Sequence, residues 1–120
     1  MAVQRLLIAL LFTVAFVIPF NAQAFECPKH FAAAQAAIDK VTGDMKGMSK
    51  MMSRADMALV HALLDDAKMS LAGAKHNHQK PQGAYDHARS IAKADAAKGY
   101  AVAADIMHWR MMKKMKKMKK

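Results

Sequence analysis

One cysteine, six histidines and two clusters of methionine are the side chains of this 120-residue protein that could do chemistry, and what they share is an ability to hold soft or borderline metal ions. Ten of the twelve methionines fall in residues 45–57 and 107–118. Met45, Met48 and Met52 follow one another at steps of three and four, which puts three thioethers on one helical face, where they can converge on an ion such as Cu(I). The same line begins with Phe31, Ala34, Ile38 and Val41, so it also reads as core packing. Cys27 and the histidines are what tip it toward metal.

Cys27-Pro28-Lys29-His30 is the most pointed short motif. Pro28 suits the first position of a helix, making Cys27 its cap and His30 its third residue, two positions whose side chains can meet. A helix N-terminus also favours the thiolate, the form that binds metal. With a single cysteine no intramolecular disulfide forms, and the other readings of Cys27 are a simple cap or the bridge of a Cys27-linked homodimer. His76 and His78, in a polar stretch with Pro81 and Gly83, read as a turn able to chelate Cu(II), Ni(II) or Zn(II). His61, with Met57 and Asp65 one turn to either side, has the look of a surface residue paired with a carboxylate. His87 comes early in a helix, and His108 begins a line with Met111, Met115 and Met118. The candidate metal ligands are therefore Cys27, His30, Met45, Met48, Met52, His61, His76, His78, His87 and His108, with copper the leading ion and nickel or zinc the alternatives. No nucleophile elbow, phosphate-cradling glycine loop or isolated acid pair is present, so no enzymatic activity is expected.

These residues are carried by a chain with the marks of export. Arg5, the apolar run of residues 6–18 and Ala22-Gln23-Ala24 read as a signal peptide over residues 1–24, cleaved before Phe25, which places the mature protein in the periplasm or outside the cell. The remaining 96 residues suffice for one small domain and carry a net charge of +9, eighteen basic side chains against nine acidic. Such a charge calls for an anionic partner, and export makes nucleic acid the least suitable one. Residues 111–120 alternate methionines with Lys113, Lys114, Lys116, Lys117, Lys119 and Lys120. That pattern makes a basic arm suited to an anionic membrane surface, with methionines dipping into the interface. A structural or interaction protein docking through this arm is the rival to a metal-binding function.

The mature chain is rich in alanine and helical in period almost throughout, so the fold class is all-α, a small up-down helical bundle over residues 25–110 followed by the tail. Four short helices are expected, or three if Gly99 is tolerated inside one long helix rather than ending it. The first follows the seam from Phe31 to Met52, weakened at Gly43 and Gly47. The second follows Met57, Val60, Leu64, Ala67, Leu71 and Ala74, with Ser53 as its cap. A third turns Tyr85, Ala88, Ile91 and Ala92 inward, and a fourth buries Val102, Ala103, Ile106 and Trp109.

Leu59-Val60-His61-Ala62, Tyr85-Asp86-His87-Ala88 and Asp105-Ile106-Met107-His108 give this chain a resemblance to the small metal-binding proteins of bacterial periplasm, histidine-rich four-helix bundles. The resemblance covers about half of the mature chain, on motifs of low specificity. It implies a helical bundle that sequesters divalent metals, copper especially. Here methionine and one cysteine replace much of that family's histidine, which would shift the preference toward softer ions.

Overall fold

The computed structural model describes residues 19–120 except Ser49, with side chains described from Glu26 onward apart from those of Met48 and Ser49. The export segment read in residues 1–24 thus falls largely outside the described residues, as does the side chain of the candidate ligand Met48. Among the described residues the chain is all-helical, with α1 (Pro19–Met48), α2 (Arg54–Gln79) and α3 (Ala84–Met118) and no strand. Of the two counts expected, four helices or three, the described residues show three, because Gly99 does not stop α3. A Cβ at Gly99 would meet no atom within 4 Å, so the residue lies on open helix surface, and the alanines around it carry the helix through.

Ser53 caps α2 as its position suggests, its hydroxyl accepting from the amide of Asp56 at 3.1 Å. The buried face of α2 is Val60, Leu64, Ala67, Leu71 and Ala74, the line read from its spacing, with Met57 half-buried at its start. Along α1 the seam holds over Ala34, Ile38, Val41 and Met45, and the helix passes Gly43 and Gly47 before ending at Met48. The cap assigned to Cys27 is not there. Cys27 and Pro28 both lie inside α1, where Pro28 has no N–H to give the carbonyl four residues back.

The face that α3 buries also differs from the sequence expectation. Ser90, Ala94, Ala97, Ala101, Ala104, His108 and Met112 point inward, while Tyr85 is 73% exposed and Val102, Ile106 and Trp109 are each nearly half exposed. α3 packs against both other helices, which touch each other less. A helix wedged between two neighbours is served by small side chains that let the backbones close in, whereas a Tyr or Trp there would hold them apart. Two contacts fix α1 parallel to α3 in one register: His30 to Asp95 at 2.6 Å and Lys40 to Asp105 at 2.9 Å, both spanning 65 positions. The hydrogen bonds it donates to Asp105, and then to Asp44, hold the Lys40 ammonium above its usual range. α2 runs antiparallel to both, tied to α3 by the Ser90 hydroxyl donating to the carbonyl of Ala74 at 2.6 Å.

Candidate metal centre

The turn between α2 and α3 is built around Asp86. Its carboxylate accepts from the Gln82 amide at 2.7 Å and from the Asn77 side chain at 3.3 Å, and Asn77 in turn accepts from Lys93 at 2.9 Å. Those bonds hold the last turn of α2 against the first turn of α3. His78 and His87 sit on those two turns, facing each other with ring centroids 5.6 Å apart and planes at 71°.

α1 brings the third member. Cys27 is fully buried, its thiol donating a long hydrogen bond of 3.8 Å to the carbonyl of His87. One turn further along, Phe31 meets the His78 ring edge-on at 5.5 Å. The Cys27 sulfur and one nitrogen each of His78 and His87 all lie within 4.8 Å of one another. Metal–ligand bonds of about 2.0–2.3 Å place trigonal donors roughly 3.5–4 Å apart, so small side-chain rotations close the triangle. Nδ1 of His78 and Nδ1 of His87 are both buried with no hydrogen-bond partner. Leaving such a group unsatisfied costs about 1–3 kcal/mol, a cost that coordination through that nitrogen would remove. A thiolate and two imidazoles can hold Cu(I), Cu(II) or Zn(II).

The other candidate ligands lie outside this triangle. His30 does not join Cys27: its Nδ1 is engaged by Asp95 on α3. The chelating pair of His76 and His78 does not exist either, because α2 continues to Gln79 and residues two apart on a helix point about 200° apart. His76 accordingly faces solvent and His78 faces Cys27. His61 is exposed, and the carboxylate beside it, Asp65, is 3.7 Å from Lys68 instead. Met45 is in the core and Met52 packs against that core after α1 has ended. His108 is completely buried near the far end of α3. In the tail Met112 is buried and Met111 packs on the core, which leaves Met118, 75% exposed, as the methionine most open to a surface.

Asp86, Asn77, Lys93 and Ser90, which position the two histidine turns, went unread as functional residues. The one available signal was Asp86 itself, an acid in the first turn of a helix that follows Pro81 and Gly83, the usual place for a side chain that organises a turn. Compared with protein-family models, curated proteins and solved structures, the chain matches none, and the case for this centre rests on its own geometry.

Proposed function

We propose that this is an exported, non-catalytic metal-binding protein that sequesters, stores or delivers copper through Cys27, His78 and His87. The observation that carries the reading is the convergence of one donor from each of three helices, two of them rings whose buried Nδ1 atoms have no partner. Copper is favoured by softness and by number. Thiolate suits Cu(I), which is content with two or three ligands, whereas a closed zinc site calls for four, and among the described residues the group holds three. Full burial of Cys27 weighs for a ligand over the bridge of a homodimer. The resemblance to small periplasmic metal-binding proteins points the same way, with three helices and a mixed thiolate–imidazole centre as this chain's departures.

The test is a titration of the protein with Cu(I) against a competing chelator, with Cu(II), Ni(II) and Zn(II) as parallel arms. One Cu(I) is expected at this centre, and Cys27→Ser or His87→Gln should weaken it roughly a hundredfold, about 2.7 kcal/mol. Cu(I) binding by Cys27→Ser as tight as that of the unmodified chain overturns the assignment. Tighter retention of zinc than of Cu(I) overturns the choice of metal.

A further inference from the structure

The far end of the bundle gathers a different set of donors. An open cavity of about 340 Å³ is lined by Met45 of α1 and by Met57, His61 and Leu64 of α2, with Lys46 and Lys68 among its other walls. A neighbouring hollow is lined by Met52, Arg54, Met57, Ala58 and His61. Met57 and His61 therefore belong to both. They are one helical turn apart, so sulfur and imidazole stand on the same face of α2, with Met45 lining the first hollow beside them and Met52 the second.

We propose that Met45, Met52, Met57 and His61 form a second, solvent-open site for a monovalent soft cation, Cu(I) in nature. Burial alone does not account for the grouping. Met45 fills core, but Met57 and Met52 are half-buried and His61 is exposed, so the donors open onto water, from which an ion can enter and leave. The charge of the cation follows from the walls. Thioether and imidazole bind a metal as uncharged ligands, no carboxylate lines either cavity, and Lys46, Arg54 and Lys68 do. A dication meets twice the repulsion that a monocation does, with no anionic ligand to offset it, and thioether softness selects Cu(I) among monocations. His61 and His78 are 17 residues apart on one helix, about 25 Å, so one ion cannot serve both places. The proposal shares the metal-binding reading of the Cys27 centre but none of its residues, and the two can fail separately.

Ag(I) in chloride-free buffer is the probe, followed by the methyl resonances of the methionines in the full chain. In the variant Cys27→Ser/His78→Gln/His87→Gln, one equivalent should shift the methyls of Met45, Met52 and Met57 together. If that variant does not fold, the same shifts are read at the second equivalent in the unmodified chain. Met57→Leu/His61→Gln, which changes only solvent-facing or half-buried positions, should bind this ion at least roughly tenfold more weakly and still take one ion at Cys27. Shifts confined to Met111, Met115 and Met118, no shifts at all, or unchanged affinity in Met57→Leu/His61→Gln would overturn the proposal. Loss of the ion at Cys27 alone would count against that centre and leave this site standing.

Discussion

His108 is fully buried, and neither ring nitrogen has a hydrogen-bond partner. Trp109 meets its ring edge-on at 5.9 Å, and an indole has no lone-pair acceptor to offer. Whichever tautomer it adopts, one N–H and one lone pair have left water for nothing. His78 and His87 share half of that predicament, one buried nitrogen of each being without a partner, but each ring also presents a nitrogen within 4.8 Å of the Cys27 sulfur. Among the described residues His108 belongs to no group of three cysteine, histidine or acidic side chains that could hold a metal, so its burial reads as a cost to the fold. Leucine fills nearly the same volume without polar atoms. His108→Leu should therefore raise the unfolding free energy by about 1–3 kcal/mol in urea denaturation, and a loss of stability would show that the ring has a partner. In the sequence His108 heads a line toward Met111, Met115 and Met118, yet the buried line is Ala104, His108, Met112, stepping by four. The two lines diverge by a single residue, a difference that spacing alone does not resolve when both contain methionine.

At the scale of elements, the buried face of α2 was legible residue for residue because Val60, Leu64 and Leu71 recur on one face with Ala67 and Ala74, although Leu59 and Met69 stand exposed on the other. α3 was not. Its inward face is mostly alanine and its outward face carries Tyr85, Tyr100, Val102, Ile106 and Trp109, which inverts the usual relation between size and burial. An alanine in a core looks the same in sequence as an alanine on a surface, and only the closeness of two neighbouring helices makes alanine the residue to bury. The same blindness affected Gly99 and Pro28, both of which read as helix boundaries and both of which lie inside helices. Local signals of that kind are worth about 1–3 kcal/mol, and packing along a long interface outweighs them. Gly99 remains a flexible residue in a helix interior with nothing within 4 Å of where its Cβ would stand. Gly99→Ala should thus stabilise the protein by about 0.5–1 kcal/mol, read as a higher denaturation midpoint at unchanged slope. A neutral or negative effect would mean that α3 needs freedom to bend there.

For the molecule as a whole, the residue types of the centre were legible and their meeting was not. Cys27, His78 and His87 were all candidates, but so were seven others, and the three are selected by the register of α1 on α3 and by the Asp86-centred turn. Neither can be read from local spacing, since Cys27 and His87 are 60 positions apart. That arrangement has a thermodynamic consequence. Each helix supplies one donor, so a bound ion links α1 to the α2–α3 hairpin at the end where the hairpin turns, and an unfolded chain offers no such triangle. An ion that binds only the folded state stabilises it by about 2.7 kcal/mol when its free concentration is a hundred times its dissociation constant. For a domain of this size that amounts to a rise in Tm of roughly 10–20 °C. Because the thiol must shed its proton and the imidazoles must be neutral to bind, the rise should shrink as the solution is acidified. Cu(I)-loaded protein should accordingly melt well above the metal-free form at neutral pH, with slower amide exchange around Cys27 in α1, and Cys27→Ser should show neither effect. An equal rise of Tm in Cys27→Ser would mean that copper stabilises the bundle from somewhere other than the junction of its three helices.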